Sequence, residues 1–281
     1  MRRLELFPPA KINLFLYLLG QRPDGFHEID TLMIRTSLCD RLTLETTSDI
    51  NSLQFHCSDA NLPVDANNLV IKAVHLFRQV TGINEGLKIF LEKKIPSGGG
   101  LGGGSSDAAF TLQGLNELFH ILSREKLLAL AAQLGSDVPF FLGEPMARCQ
   151  GRGEKLSPLS SLKDLPKRAV LINPGFGVPT AWAYQTYRQL SASEKKGEIE
   201  GKFPWGEMRN DLEPAVFKKY LLLPQIKTWL KHQKGVFAAI MSGSGSTLFG
   251  LLNEECNFSK LELEFKKEFG NAAFIIEVAL G

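Results

Sequence analysis

The chain has 281 residues, 44% hydrophobic and 22% charged, with a formal net charge of +2, the composition of a globular protein long enough for one large domain or two moderate ones. The near balance of charge excludes a dedicated nucleic-acid binder, and no run of about 18 apolar residues is present to span a membrane. Cys39, Cys57, Cys149 and Cys256 lack the spacing of a zinc site or a disulfide framework, and the five histidines are scattered, so reduced thiols, a cytoplasmic protein and no metal held by protein ligands are expected.

Taken in order, Arg2, Arg3 and the apolar run 12–19 faintly imitate a signal peptide, but Glu5, Pro8, Pro9 and Lys11 interrupt it and no small-residue cleavage site follows. Residues 10–19 are apolar on both faces and read as a central strand. Arg22-Pro23-Asp24-Gly25 is a turn, and 27–34 the second arm of a hairpin. Segments 41–46 and 52–55 alternate as strands. Asn67 or Asn68 caps a helix that buries Val70, Val74 and Phe77 and closes near Gly82. A fifth strand spans 87–91. Helices are expected from Ser106 to about Phe119, capped by Ser105, Ser106 or Asp107, and from Ser123 to Leu134 with Gly135 as a stop. The stretch 157–166, rich in serine and proline, reads as a junction between domains 1–160 and 161–281. Beyond it come a strand at 169–172, a helix at 180–190 and a solvated charge run at 194–202. A strand at 236–241 feeds Ser242-Gly243-Ser244-Gly245-Ser246-Thr247, and a strand at 248–252, a helix at 259–269 and a strand at 272–278 close the chain. The order is α+β, without regular βαβ alternation.

Between the fifth strand and the helix lies Pro96-Ser97-Gly98-Gly99-Gly100-Leu101-Gly102-Gly103-Gly104-Ser105-Ser106, in which six of the seven residues 98–104 are glycine. Strand, glycine-rich loop and helix N-terminus together aim backbone N–H groups and a positive dipole end at an anion. A Walker A loop needs a lysine after the last glycine, and Ser105 stands there. The spacing of Gly98, Gly100 and Gly103 fits a dinucleotide fingerprint, but the acidic strand end about 20 residues on is missing. A nucleoside triphosphate held by main-chain amides fits best, with the serine hydroxyls free for phosphate or Mg²⁺. Phosphoryl transfer then asks for a base and a cation. Asp137 in Ser136-Asp137-Val138-Pro139 is the candidate base, its other reading being a helix cap. Lys11 inside an apolar strand is the candidate cation, its other reading an edge-strand lysine.

The motifs Pro9-Ala10-Lys11-Ile12-Asn13-Leu14, Asp24-Gly25-Phe26-His27, Asn68-Leu69-Val70, the glycine loop and Gly135 to Phe141 resemble the GHMP kinase superfamily. So do Gly151-Arg152-Gly153-Glu154, Asn210-Asp211-Leu212-Glu213 and Ser242 to Ser246. Within it they are most similar to the members that phosphorylate a methylerythritol carrying a cytidine diphosphate in non-mevalonate isoprenoid synthesis. The resemblance implies the two-domain fold with ATP and substrate in the cleft between the domains, ATP as co-substrate with Mg²⁺, and a monomer or weak homodimer. It implies catalysis by Lys11 and Asp137, a phosphate cradle from Pro96 to Ser106, and Asn68 beside the adenine. Asn13 and Thr180 match positions at the methylerythritol, and Phe26, His27 and Tyr184 a cytosine pocket in which two rings sandwich the base. Phe26 stands where the family usually has tyrosine, and Asp107 where it has Asn or Asp. Homoserine, mevalonate and galactose kinases lack the aromatic-histidine pair after Asp-Gly, and a non-catalytic nucleotide-binding regulator is expected to lose Lys11 or Asp137.

Overall fold

The structure, a computed structural model, describes residues 2–281. These form strands β1 (Arg3–Leu6), β2 (Pro9–Gln21), β3 (His27–Cys39), β4 (Arg41–Thr47), β5 (Leu53–Cys57) and β6 (Gly86–Glu92) and helices α1 (Leu69–Thr81), α2 (Gly103–Phe119) and α3 (Arg124–Leu134). A 3-10 turn (Pro139–Leu142) leads to β7 (Met146–Gly151), β8 (Lys155–Leu159), β9 (Arg168–Asn173), α4 (Thr180–Gln189), β10 (Gly201–Phe203) and β11 (Gly206–Met208). The chain closes with α5 (Glu213–Phe217), α6 (Leu222–Lys231), β12 (Val236–Met241), β13 (Leu248–Leu252), α7 (Phe258–Phe269) and β14 (Phe274–Ala279). Among the described residues no helix is long and apolar enough to cross a membrane.

Two compact units arise, each discontinuous in sequence: 2–10, 38–95 and 102–144 in the first, 11–37, 96–101 and 145–281 in the second. The first holds a sheet of order β1-β4-β6-β5, in which only the β5–β6 pair is parallel. Helix α1 is capped by Asn68, whose Oδ1 accepts the Val70 N–H at 2.9 Å, and stops where Gly82 turns left-handed at φ +73.

The second unit holds two four-stranded sheets, β2-β3-β7-β8 and β12-β13-β9-β14. Its apolar core joins Leu16 and Ile29 to the β9, β12 and β13 side chains and to helices α4 to α7. The β2–β3 hairpin turns at Arg22 to Gly25, with Gly25 at φ +83 and its N–H bonded to the Arg22 carbonyl at 3.0 Å.

Several expectations are corrected. β2 is buried on both faces but ends its sheet instead of lying inside it; its free edge is covered by the segment 209–211, through Leu16 N–H to Arg209 and Asp211 N–H to Leu16, both at 2.9 Å. A strand, β1, precedes the five expected. Residues 157–159 belong to β8 and are not linker. The charge run 194–202 is not wholly solvated, because the Glu200 side chain is only 2% exposed and pairs with Lys227 at 2.7 Å. Helix α2 begins at Gly103, and its cap position is Gly102 in the left-handed region (φ +70), with no side-chain cap bond, so neither serine nor Asp107 caps it.

Candidate active site

In the first unit the end of β6 and the first turn of α2, which flank the glycine loop, are tied together by one buried cluster. Asp40 is fully buried, and its Oδ1 accepts the N–H groups of Lys94 (2.5 Å) and Ile95 (2.9 Å), where the chain leaves β6. Its Oδ2 accepts from Lys93 Nζ, which also donates to Asp107 Oδ2 at 2.7 Å, one turn into α2. Two carboxylates thus share one ammonium. Burial alone would lower the Lys93 pKa, but Asp107 and Asp40 outweigh it and raise it. Burial pushes Asp107 up to about 7, with the Asp40 charge adding to the rise and Lys93 only partly opposing it. Neither Asp40 nor Lys93 stands out in the sequence, because each is an ordinary charged residue among others. The first N–H groups of α2 lack intrahelical partners by geometry and Gly102 offers no cap, so this helix end is open to phosphate oxygens. Ser105 is half-buried there, and Ser106 is fully buried with its Oγ in no hydrogen bond.

In the second unit the loop residues Gly98 and Gly100 are left-handed (φ +67 and +77), and left-handed residues recurring along a loop are the material of anion-binding nests. The Gly100 carbonyl accepts from Lys11 Nζ at 3.1 Å and from Ser242 Oγ at 3.0 Å. Lys11 is buried, its Nζ bonded to Asn13 Oδ1 at 2.6 Å and its own N–H to the Leu101 carbonyl at 2.9 Å. The Asn13 amide in turn donates to Thr31 Oγ1 at 2.8 Å, which fixes its orientation. The second glycine-serine segment, one of the motifs that carry the family resemblance, thus lies against the first. Thr247 N–H donates to the Gly99 carbonyl at 3.1 Å, and a Cβ at Gly100 would run into the Ser242 carbonyl oxygen. Ser244 Oγ lies 3.0 Å from Thr180 Oγ1, so this segment also reaches a residue assigned to substrate.

The residues that the resemblance assigns to a cytosine pocket all lie in this unit, and two of them, His27 and Tyr184, are brought together. His27 is buried at the start of β3, its ring 5.3 Å from Tyr184 and 5.7 Å from Tyr187. Burial lowers its pKa, and the charges of Arg188 and Lys195 lower it further, so the imidazole is neutral at pH 7 and above. A neutral imidazole offers one donor and one acceptor. Phe26 is 52% exposed, with the Arg152 guanidinium 4.9 Å from its ring centroid, so one aromatic face is backed by charge. Tyr187, which sequence reading passed over, is buried against His27, and burial pushes its hydroxyl up to about 12; it stays protonated.

Asp137 lies half-buried in the first unit, in the turn before the 3-10 segment. The cap position of that segment is Val138, without a side-chain cap bond. Asn68 uses both ends of its amide, capping α1 and donating to the Pro63 carbonyl at 2.8 Å.

The family models described as GHMP kinases N terminal domain and GHMP kinases C terminal match residues 68–144 and 204–271. A relative from Methylacidiphilum infernorum, named 4-diphosphocytidyl-2-C-methyl-D-erythritol kinase, is 47% identical over 90% of this chain and 87% of its own. One of the same name from Geobacter sp. (strain M21) is 37% identical over 96% and 97%. A crystal structure of 4-(cytidine 5'-diphospho)-2C-methyl-D-erythritol kinase superposes with a TM-score of 0.81 at 35% identity, covering 99% of both chains. Homoserine kinase from Cytophaga hutchinsonii, at 20% identity and a TM-score of 0.71 over 99% of this chain and 94% of that one, shares the fold.

Proposed function

Because this chain belongs to the 4-diphosphocytidyl-2-C-methyl-D-erythritol kinase family of the GHMP kinases, we propose that it moves the terminal phosphoryl group of ATP onto the 2-hydroxyl of 4-diphosphocytidyl-2-C-methyl-D-erythritol, leaving ADP and the 2-phosphate, in cytoplasmic isoprenoid precursor synthesis. Asp137 takes the hydroxyl proton as the oxygen attacks the γ-phosphorus. Lys11 stabilises the developing alkoxide. The loop from Pro96 to Ser106 receives the phosphates, and little else is asked of a protein that catalyses phosphoryl transfer. The observation that carries this assignment is the Lys11 ammonium, buried in a strand yet bonded to the Gly100 carbonyl of the glycine loop at 3.1 Å.

Asn13 orients Lys11 and borders the methylerythritol with Thr180. Phe26 and Tyr184 stack on the cytosine, and neutral His27 reads its edge, its acceptor nitrogen suited to the 4-amino group. No group of three or more His, Cys, Asp or Glu among the described residues is arranged to hold a metal. The hydroxyl of Ser106, buried without a hydrogen bond, is the kind of oxygen donor that a Mg²⁺ ion carried mainly by nucleotide phosphates accepts. Such an ion supplies neutralisation of charge on the phosphate oxygens.

The test is ADP release measured with 4-diphosphocytidyl-2-C-methyl-D-erythritol, homoserine, mevalonate or no acceptor. Turnover with the first alone is expected. Equal turnover with homoserine or mevalonate would overturn the substrate assignment, and ADP release that no acceptor accelerates would overturn the kinase reading.

A further inference from the structure

We propose that Asn210 is a positioning residue for phosphoryl transfer: its buried amide sets the second glycine-serine loop, and that loop sets Gly100 and the surroundings of the Lys11 ammonium. This rests on the kinase reading above.

Asn210 is completely buried, and every hydrogen-bonding group of its amide that the geometry engages goes to main chain. Nδ2 donates to the carbonyls of Met241 and Gly243, each at 2.7 Å, while Oδ1 accepts the Leu212 N–H at 2.9 Å. Three residues on, Glu213 Oε1 accepts the Met241 N–H at 2.8 Å. Both polar groups of Met241 are therefore held by one short segment, at the point where β12 ends and the loop begins. The other Glu213 oxygen is fixed by Lys227 at 2.7 Å, so this side of the clamp cannot rotate away.

What the clamp holds has no slack. Gly243 is left-handed at φ +57, and a Cβ there would lie 3.2 Å from the Gly100 oxygen and 3.4 Å from Lys11 Nζ. The neighbouring Ser242 hydroxyl donates to that same Gly100 oxygen. A loop that drifts by a fraction of an ångström moves one of the two donors on Gly100 and the wall beside the ammonium, and misplacement on that scale is costly to a reaction that depends on alignment. Asn210 contacts neither Lys11 nor the glycine loop in its own hydrogen bonds. It acts through the loop. Asparagine suits because the two carbonyls face one amide nitrogen with two donors: aspartate would set a single carboxylate oxygen against both, and alanine would remove both donors.

The test is Asn210→Asp, which keeps the shape and the acceptor for Leu212, assayed well below its melting temperature with kcat and both KM values measured. Val74→Ala, a core change in α1 of the first unit, is the stability control and should lower the melting temperature with kcat unchanged. For folded Asn210→Asp, kcat should fall by about tenfold or more with the two KM values moving by less than about threefold. A folded variant with kcat within about twofold of the parent overturns the proposal. If Asn210→Asp does not fold, Ser242→Ala decides, since it removes the one hydroxyl that carries the loop's position to Gly100. Its kcat should fall at least about threefold with its melting temperature little changed, and an unaltered kcat overturns the proposal. Failure of the parent protein to phosphorylate the cytidine substrate would count against the kinase reading instead.

Discussion

Asp107→Asn should make the protein more stable at pH 8, and the gain should vanish in acid. Asp107 is 2% exposed and shares the Lys93 ammonium with Asp40, so the cluster carries two negative charges against one positive when both carboxylates ionise. Burial, with Asp40 beside it, raises the Asp107 pKa from 3.8 to about 7. A carboxyl whose folded pKa is raised binds its proton more tightly in the folded state. Its contribution to stability is fully present below the ordinary value, is lost as pH rises, and is wholly lost above about 7. At about 1.36 kcal/mol per pKa unit the loss is at most roughly 4 kcal/mol, and relaxation of the site makes about 1–2 kcal/mol the sensible minimum. Asparagine has the same shape and never ionises, while Lys93 keeps Asp40. Urea denaturation of parent and variant at pH 3.5, 6 and 8, extrapolated linearly with a common slope, should give a difference that is small at the lowest pH and grows in favour of the variant by about 1 kcal/mol or more. A difference that stays constant, or a parent that gains on the variant as pH rises, would mean that Lys93 holds Asp107 ionised and that the reasoning about burial is wrong.

The remaining predictions concern the site. Asp137→Asn and Lys11→Met should each retain the fold by circular dichroism and lower turnover by about 10²-fold or more; a nearly active Asp137→Asn would remove Asp137 as the base. Gly100→Ala should abolish measurable nucleotide binding by calorimetry, because residue 100 is at φ +77 with the Ser242 carbonyl in the way, whereas Gly104→Ala, whose Cβ would meet only Leu69 at 3.8 Å, should fold with normal stability. Tyr184→Ala should raise the KM for the cytidine substrate while leaving that for ATP nearly alone, since a stacked base is worth about 1–3 kcal/mol; equal losses for both would assign Tyr184 to packing. Because burial keeps His27 below its ordinary value, the KM for the cytidine substrate should be flat from pH 7 to pH 8.5 and should not improve on acidification.

Much of the fold was legible wherever burial imposes a local period. The strands β2, β4, β6, β9, β12 and β13 and the helices α1, α3, α4 and α7 were all anticipated within a few residues. β8 escaped because it is an edge strand containing Ser157 and Pro158, which read as linker, and α6 because Pro224 interrupts its first turn. Helix α2 starts three residues before the position that the sequence predicts, since a helix that begins on two glycines violates the propensities that mark a helix start.

The candidate site divides in the same way. Lys11 and the glycine loop announce themselves because each is expensive where it stands: a lysine in an apolar strand, and six glycines where an ordinary loop would use fewer. Asp40 and Lys93 do not, because they lie 53 residues apart and nothing local marks the pairing; Asn210 and Ser242 stand in motifs shared with the family, but their partners 33 and 142 residues away are equally unmarked. There is a physical reason why both kinds must occur together. A loop of glycines has almost no side chains with which to fix itself, yet phosphate transfer needs it fixed. Its conformation has to be imposed by polar side chains and main-chain groups borrowed from elsewhere. Asp40 does this for the N–H groups of residues 94 and 95, Thr247 for the Gly99 carbonyl, and Lys11 with Ser242 for the Gly100 carbonyl. The more glycine a phosphate loop contains, the more of its functional geometry must be sought outside its own motif.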